Sequence, residues 1–372
     1  MCKQTILNAQ EKLVIALREQ FEAFGYKRFP MRRFEEYALY ATHQSFLQST
    51  KVLTFTNAKG NLMALKPDVT LSIAKHSKVQ FNESERVYYL ESVYRTSHTE
   101  QEFVEIQQLG VEYLGHVDTY AILEIMGLAI QTLKKTEFPH VLSLSHMGYV
   151  QGLLQEIKLE ETIQKKILEL ISMRNQHELK SVLKNLSISS IIKEAFMALP
   201  TLQGNLDMVL PKARQYCQNK QMSQALQDLQ KIYECLDNLQ LADCIQIDFS
   251  MMNDMDYYQG IIFRGYIQNA PRMVLSGGGY DPLLEKLGKN IGGIGFAVYL
   301  NELETVLSET PIYDVDAVLY YSPSANPITV FQALQKLQKQ HKTVIARDYE
   351  GELRARKKYY LVGECIKEEG IC

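Results

Sequence analysis

Three segments of the sequence carry polar side chains whose types suit the binding of a small polar molecule. They are LKPDVT at residues 65–70, VYYLESVYRTSHTEQEFVEIQQLGVEYLG at residues 87–115, and MDYYQGIIF at residues 255–263. Carboxylates such as Asp68 and Glu112 are the acceptors that an ammonium group requires, and neighbouring tyrosines can wall and hydrogen-bond a planar ring. The pattern therefore favours an amino-acid pocket if the three segments meet in the fold.

Each segment alone has a plainer interpretation. Gln108 and Glu112 each lie two residues from Gly110, and polar residues that alternate in this way commonly face solvent from one side of a strand. The adjacent pair Tyr257 and Tyr258 is, by itself, more typical of a core and its rim than of a ligand site. Only the joint occurrence of the segments, in this order, makes binding the stronger interpretation.

Two glycine-rich segments follow, SGGGYD at residues 276–281 and GGIGFAVYLNEL at residues 292–303. The first could be a phosphate-binding loop, but it lacks the G-K-[ST] ending of that motif and opens no clear helix. We therefore predict a tight turn within a sheet, where glycine meets the demands of the backbone.

Together these five segments resemble the catalytic domain of the histidyl-tRNA synthetases, and the resemblance covers most of residues 5–305. Members of that family carry L-R-P-E-G-T, then F-R followed by Q-x-G-x-E, then R-G-L-D-Y-Y-T-G, and then G-G-R-Y-D and G-L-E-R-L. The resemblance implies an α+β, class II synthetase-like fold, in which an antiparallel sheet of about six strands is flanked by helices. It also implies a histidine-binding site made of Asp68, Thr70, Arg95, Gln108, Glu112, Tyr257 and Tyr258. By the same resemblance, the carboxylates and their polar neighbours surround the ammonium group, and the tyrosines contact the imidazole.

The departures from the synthetase pattern concern its arginines. Carboxylates or uncharged residues stand in their places, at Glu102, Val104, Asn253, Gly279 and Glu302, and Arg95 alone is retained. Guanidinium groups position and neutralise a triphosphate during adenylation, whereas a carboxylate within about 4–6 Å repels it. We therefore expect the chain to keep the amino-acid site and to lack the activity of a synthetase.

This combination resembles the regulatory subunits of ATP phosphoribosyltransferase, which are synthetase paralogues in the first step of histidine biosynthesis. The resemblance implies a chain without catalytic activity that binds histidine as its effector. No cofactor is expected, and the dispersed histidines, without a Cys/His set at metal-ligand spacing, predict no metal site. The resemblance also implies a partner, the short catalytic subunit that makes phosphoribosyl-ATP, which the chain activates and places under feedback control by histidine. Gln259 and Gly279 depart from this family too, since threonine and arginine are usual there.

Two other interpretations stay open. The chain is a divergent but active histidyl-tRNA synthetase, or a related amino-acid ligase, if replacement cations lie near Glu102 and Glu302, and the neighbouring sequence offers none. It is a synthetase-like protein for another amino acid or a tRNA-dependent partner if the site selects a different side chain. An ATP–pyrophosphate exchange assay tests the first interpretation, and a scan of amino acids for thermal stabilisation tests the second.

Composition limits the partners and the compartment. The length of 372 residues predicts two or three domains. The net charge of −3 means that the chain has no general positive field to attract tRNA or an acidic membrane. The short basic run of Arg354, Arg356, Lys357 and Lys358 is more typical of a solvated face than of a nucleic-acid site. Six cysteines without a C-x-x-C pair, no secretion signal and no apolar stretch long enough for a bilayer predict a cytoplasmic protein with free thiols.

Hydrophobic spacing and turn residues predict the elements that position the chemical segments. In chain order these are an amphipathic helix (5–24), a hairpin (51–65), a strand pair (87–94 and 106–114), a helix (118–132), a helical insertion (about 150–240), and three strand regions in which the sheet resumes (244–267, 273–280 and 291–299).

Two domains follow from this pattern. Residues 1–310 form the synthetase-like domain, and residues 311–372 form a small α/β domain that resembles a truncated anticodon-binding domain, so no tRNA is expected as a partner. The synthetase resemblance also implies a homodimer as the core unit of a hetero-oligomer with the catalytic subunit. Its contact lies in residues 24–46, whose apolar side chains include Phe29, Met31, Phe34 and Tyr37.

Overall fold

Two compact units make up the chain, Met1–Leu307 and Ser308–Cys372. The computed structural model describes residues 7–43, 47, 51–80, 82–96, 102–157, 159–252, 258–307 and 312–369. The division between the units falls between residues 307 and 308, near the boundary that the sequence predicts between residues 310 and 311.

The larger unit contains helices α1 to α12, and the smaller unit contains α13. In chain order they are α1 (Ala9–Ala23), α2 (Tyr37–Thr42), α3 (Thr70–His76), α4 (Thr119–Lys134), α5 (Met147–Gln155), α6 (Glu161–Ser172), α7 (Gln176–Lys184), α8 (Ser190–Ala198), α9 (Leu206–Gln215), α10 (Lys220–Asn238), α11 (Asp281–Lys286), α12 (Leu300–Leu307) and α13 (Pro327–Gln338). The helices α6 to α10 occupy the stretch for which the sequence predicts a helical insertion.

The strands form three sheets. In chain order they are β1 (Lys27–Arg28), β2 (Phe34–Glu36), β3 (Thr54–Thr56), β4 (Leu62–Leu65), β5 (Glu85–Thr96), β6 (Phe103–Gly115), β7 (His140–His146), β8 (Gln203–Gly204), β9 (Ile245–Asp248), β10 (Gln259–Ile267), β11 (Leu275–Gly279), β12 (Gly292–Tyr299), β13 (Val315–Tyr320), β14 (Val344–Arg347), β15 (Ala355–Val362) and β16 (Cys365–Glu368).

The largest sheet has nine strands in the order β1-β5-β6-β12-β11-β10-β7-β9-β8. The six central strands, in the sheet order β5-β6-β12-β11-β10-β7, all pair antiparallel with their neighbours. This confirms the predicted synthetase-like core. The outer pairs β1 with β5 and β7 with β9 are parallel, so the complete sheet is mixed.

Helix α1 is amphipathic as predicted, and it begins at Ala9; residues 5 and 6 of the predicted helix lie outside the described residues. The side chain of Asn8 accepts a hydrogen bond from the Glu11 amide, and Glu11 in turn accepts one from the Asn8 amide, so this capping box fixes the start. The helix ends just before Gly25, whose positive φ of 82° a side-chain-bearing residue rarely adopts.

The predicted hairpin is confirmed, and it leads directly into the segment that contains Asp68. Strands β3 and β4 pair antiparallel around a turn in which the Asn57 side chain accepts hydrogen bonds from the amides of Lys59 and Asn61. Strand β2 pairs with the other edge of β4, which gives a three-stranded sheet.

The prediction of a tight turn at SGGG is wrong. Ser276 to Gly279 form strand β11, which lies between β10 and β12 in the middle of the large sheet. None of the three glycines has a positive φ. Glycine is needed there because a side chain would clash with its neighbours. A Cβ on Gly277 would lie 2.3 Å from the Gly295 carbonyl oxygen, and one on Gly278 would lie 2.8 Å from the Tyr258 ring.

Each face of the large sheet packs against a different hydrophobic core. One face, with Phe263 and Phe296, packs against α1, α4, α5 and the helices of the insertion. The other face, with Tyr89 and Ile262, packs against α3 and α11. Because successive strand residues point to opposite faces, neighbours in one strand serve different cores and different cavities.

The smaller unit contains one sheet in the order β14-β13-β15-β16, and α13 packs on it. Its basic run is largely neutralised, since Arg354 pairs with Asp314, Lys357 with Glu368 and Lys358 with Glu369. These exposed pairs contribute little stability, but they reduce the positive field of the face that carries them.

The sequence makes expectations about the cysteines, about metal binding and about membrane-spanning helices. The described cysteines, Cys217, Cys235, Cys244 and Cys365, carry free thiols. Among the described residues, no group of three His, Cys, Asp or Glu side chains is placed to hold a metal ion. No helix in the described part of the chain has the length and apolar character needed to cross a membrane.

Candidate functional site

A single pocket of the larger unit brings together most of the residues that the sequence predicts for the binding site. Asp68, Thr70, Arg95, Gln108, Glu112 and Tyr258 all line it. It lies on the face of the sheet that α3 and α11 cover. The predicted contribution of Tyr257 lies outside the described residues, as does the departure at Asn253.

Asp68 is held by the start of α3 and by Arg95. Its Oδ1 accepts a 2.8 Å hydrogen bond from the Leu71 amide, and a carboxylate at a helix start is favourably placed. Its Oδ2 lies 3.5 Å from Nη2 of Arg95. Arg95 also donates from Nε to the Pro67 carbonyl oxygen at 2.7 Å. The one retained arginine therefore holds the 67–68 segment against the pocket.

Glu112 is the most deeply buried carboxylate of the site. Thr70 donates a 2.6 Å hydrogen bond to Oε1, whereas Oε2 has no hydrogen-bond partner of normal geometry among the described residues. Burial raises the pKa of this carboxyl group to about 8, and the Thr70 and Tyr280 hydroxyls oppose that rise only in part. At neutral pH Glu112 is therefore mainly a neutral acid in this environment.

Strand register places Glu112 and Gln108 around a crowded centre. Tyr89 of β5 lies opposite Gly110 of β6, and a Cβ on Gly110 would lie 2.4 Å from the Tyr89 hydroxyl group. Gly295 lies opposite Glu112 on β12, and a Cβ there would lie 1.9 Å from Oε2 of Glu112. Glycine is required at both positions because these polar side chains occupy the space.

Tyrosines supply the aromatic wall. Tyr258 is buried, and burial together with the neighbouring Tyr299, Asp68 and Glu112 raises its pKa, so it remains a neutral hydrogen-bonding group. Tyr299 forms a 2.8 Å hydrogen bond with Ser276. The sequence analysis did not assign Tyr89, Tyr299 or Ser276 to the site, since only strand register brings them there.

This arrangement can bind a zwitterion with a polar ring. Two carboxyl groups face the pocket for an ammonium, one guanidinium lies beside them, and phenol groups can bond and wall an imidazole. The cavity volume is about 30 Å³, room for about two water molecules. Binding of an amino acid therefore requires the pocket wall to move outward.

The residues in place of the synthetase arginines have diverse surroundings. Glu102 is exposed, and Val104 lies opposite Arg95 in the β5–β6 register. A cation does lie near Glu302, from a distant segment of the sequence: Nη1 of the exposed Arg272 is 3.8 Å from its carboxylate. The two further departures, Gln259 and Gly279, are cross-strand partners in the β10–β11 ladder.

Comparison with known proteins agrees with the pattern of these segments. The family model described as histidyl-tRNA synthetase matches residues 5–303. A curated ATP phosphoribosyltransferase regulatory subunit from Oceanobacillus iheyensis is 28% identical over 335 residues, which cover 88% of this chain and 82% of the relative. Another from Acetivibrio thermocellus is 26% identical and covers 87% and 79%, respectively.

Solved structures share the fold. A structure from Bacillus halodurans, described as an ATP phosphoribosyltransferase regulatory subunit/histidyl-tRNA synthetase, matches with a TM-score of 0.74, 24% identity, and coverage of 94% of this chain and 93% of that chain. An ATP phosphoribosyl transferase (HisG:HisZ) complex from Thermotoga maritima matches with a TM-score of 0.61, 20% identity, and coverage of 77% and 96%.

Proposed function

Because the chain belongs to the histidyl-tRNA synthetase family, we propose that it uses the amino-acid site of that fold as a non-catalytic regulatory subunit of ATP phosphoribosyltransferase. The curated relatives named as regulatory subunits support this role over most of the chain. The observation that carries the proposal is the pocket itself, in which six predicted binding residues meet.

In this proposal histidine is the effector. Its ammonium group lies against Asp68 and Glu112, and its imidazole lies against the tyrosine wall that contains Tyr258. Arg95 holds Asp68 in position for the ammonium, through the 3.5 Å contact between the two side chains. No cofactor, metal or tRNA takes part, and the protein works in the cytoplasm.

The partner is a short catalytic subunit that makes phosphoribosyl-ATP, and the matching structure described as a HisG:HisZ complex supports such an assembly. Histidine controls the partner by reciprocity. If it binds more tightly to an inactive assembly, it stabilises that assembly by its differential affinity, typically about 1–3 kcal/mol. Feedback control then needs no chemistry in this chain.

Reconstitution tests the regulatory role. The chain alone should form neither an adenylate nor phosphoribosyl-ATP. Mixed with a short catalytic subunit, it should raise the rate of phosphoribosyl-ATP formation and make that rate fall when histidine is added. The double variant Asp68→Asn, Glu112→Gln should keep the stimulation and lose the response to histidine, because neither position can then offer a carboxylate to the ammonium.

A matched control uses Glu105→Gln, since Glu105 is an exposed carboxylate on the same strand as Glu112. That variant should respond to histidine as the wild type does. Adenylate formation by the purified chain, or unchanged histidine inhibition in the double variant, would contradict the proposal.

A second candidate, an active synthetase, is favoured by one contact. Arg272 lies 3.8 Å from Glu302, so a cation is present where one synthetase arginine is replaced. The side chain of Arg272 is 72% exposed, however, and an exposed cation contributes little to holding a triphosphate. ATP–pyrophosphate exchange above background with histidine would favour this candidate over the regulatory one.

We also propose a homodimer, formed through the region that the sequence predicts. Phe29 and Met31 are partly buried against the core, whereas Phe34 is 44% exposed and its ring meets that of Phe55 at 5.4 Å between centroids. Leu62 on the adjoining strand is also exposed, so an apolar surface of the three-stranded sheet is available to a second copy.

Sedimentation velocity tests the dimer. The isolated chain should sediment as a dimer at micromolar concentration, and Phe34→Glu should shift it toward monomer, because a charge at a buried apolar contact is costly. Phe103→Glu, at an equally exposed phenylalanine outside the predicted contact, is the control. A monomeric wild type would exclude this contact as a stable interface.

A further inference from the structure

A second cavity, of about 440 Å³, lies on the opposite face of the large sheet from the pocket. Gly278 and Gly295 line the pocket, and their chain neighbours Gly279 and Ile294 line this cavity. The volume is within the range of about 300–1,000 Å³ that is common for small-molecule sites. None of the described residues predicted for the histidine site lines it.

The floor of the cavity is apolar. Ile261 and Ile294 provide side chains from β10 and β12, while Gly260 and Gly279 between them provide bare backbone. Gly260 has a φ of 72°, and nothing lies within 4 Å of the position a Cβ would take. Gly279 carries no side chain either, which leaves this part of the floor open. Such a surface suits the face of a planar ring.

One face of α10 forms a polar wall over this floor. Gln221, Gln224, Asp228 and Lys231 follow one another at three- or four-residue spacing, and all line the cavity. Gln224 donates a 3.0 Å hydrogen bond to Asp228, and Lys231 donates a 2.8 Å hydrogen bond to Thr119. Primary amides both donate and accept, as the edge of a heterocyclic base requires.

A buried histidine completes the wall. The Nδ1 atom of His146 accepts a 3.1 Å hydrogen bond from the Gly148 amide, so in the neutral ring the proton lies on Nε2. Nε2 is 3.7 Å from Oδ2 of Asp228, too far for a direct hydrogen bond. Burial lowers the pKa of His146 to about 4, so the ring is neutral at pH 7. A hydroxyl group beside this pair, within reach of both atoms, could accept from Nε2 and donate to Asp228.

The charges select against phosphate. Asp228 and Asp281 both line the cavity, and Lys231 is the one lysine or arginine among the described residues that do so. A phosphate would therefore meet more like charge than opposite charge. A neutral molecule with a planar ring and neighbouring hydroxyl groups matches the floor, the amides and the His146–Asp228 pair.

We propose that this cavity binds a purine nucleoside, with its base on the glycine and isoleucine floor and a ribose hydroxyl hydrogen-bonded to both His146 and Asp228. Calorimetry of the full chain with adenosine and with guanosine tests the proposal. At least one nucleoside should bind, and the corresponding 5′-monophosphate should bind more weakly.

Asp228→Asn should weaken nucleoside binding by about tenfold or more, because a charged acceptor for the ribose is lost. Asp228 is only partly buried, so the variant should fold. Asp237→Asn is the matched control, since Asp237 is exposed on the same helix and does not line the cavity. Glu112→Gln should also leave nucleoside binding unchanged, which separates this cavity from the histidine site.

Three results would overturn the proposal: no binding of either nucleoside up to about 1 mM, tighter binding of the monophosphate than of its nucleoside, or equal affinity in the wild type and Asp228→Asn. Histidine that competes with the nucleoside in the Glu112→Gln variant would also overturn it, because the cavity would then be an amino-acid site.

Discussion

Replacement of Glu112 by glutamine should weaken histidine binding by about 10- to 150-fold at about pH 8 while leaving the fold intact. In the proposed complex the carboxylate forms a charge-assisted hydrogen bond with the ammonium, worth about 1.5–3 kcal/mol. Glutamine has nearly the same shape without the charge. Isothermal titration calorimetry of the two proteins measures the ratio of affinities.

The same substitution should remove a pH dependence. The pKa of Glu112 is raised to about 8, so below that pH the group is mainly protonated. Binding the ammonium to a carboxylate there requires the release of this proton, which weakens the affinity as pH falls. Wild-type affinity relative to that of the variant should therefore rise from about pH 6 to about pH 8, by at most about tenfold per pH unit. Taking the ratio cancels the titration of histidine itself.

The stability of the unliganded protein should change in the opposite direction. Between its ordinary pKa of 4.5 and the raised value of about 8, Glu112 binds more protons in the folded state than in the unfolded state. Its contribution to the free energy of unfolding is therefore lost as pH rises through this window, by at most about 1.4 kcal/mol per pH unit. Urea unfolding followed by circular dichroism should show a weaker pH dependence for Glu112→Gln.

Glu105→Gln is again the control, because this exposed carboxylate should affect neither histidine affinity nor its pH dependence. Equal histidine affinities of the wild type and Glu112→Gln across the pH range would mean that histidine does not bind at this carboxylate.

Substitution of Gly295 by alanine should destabilise the larger unit by about 3 kcal/mol or more. The added Cβ would lie 1.9 Å from Oε2 of Glu112 and 2.3 Å from the Val111 carbonyl oxygen. Backbone cannot yield as a flexible side chain does, so β12 and β6 would have to separate in the middle of the sheet. Urea unfolding of both proteins, followed by circular dichroism, measures the difference.

Gly127→Ala is the matched control for this glycine. Gly127 lies in α4, where a Cβ would meet only the Leu241 side chain at 4.0 Å, an ordinary contact. Alanine there should raise stability by about 0.5–1 kcal/mol, because glycine is unfavourable within a helix. If Gly295→Ala unfolds within about 0.5 kcal/mol of the wild type, the sheet is more adaptable than its geometry indicates.

Local features of the chain were determined by the sequence. The spacing of Leu13, Leu17 and Phe21 makes one face of α1 apolar, and all three residues are buried. Turn residues such as Asn57 and Gly60 specify the hairpin because their conformations and hydrogen bonds are local. The resemblance carried by the polar segments implied a shared site, and Asp68, Gln108, Glu112 and Tyr258 do line one pocket.

Strand neighbours and register could not be derived in this way. The parallel pairing of β1 with β5 and the placement of SGGG in a central strand depend on segments far apart in sequence. Glycine runs occur both in turns and in crowded strands, so the sequence of SGGG does not distinguish the two. The strand is decided by Tyr258 and Gly295, which lie against these glycines in the folded sheet.

The chemical state of the site was decided only by the tertiary structure. The sequence names Glu112 as a carboxylate, but its raised pKa results from burial beneath Tyr89 and against Gly295, which belong to two other strands. The second cavity likewise needs α10 of the insertion to lie over β10 and β11. Side-chain type and local spacing are properties of the chain, whereas desolvation and enclosed volume depend on the packing of distant segments.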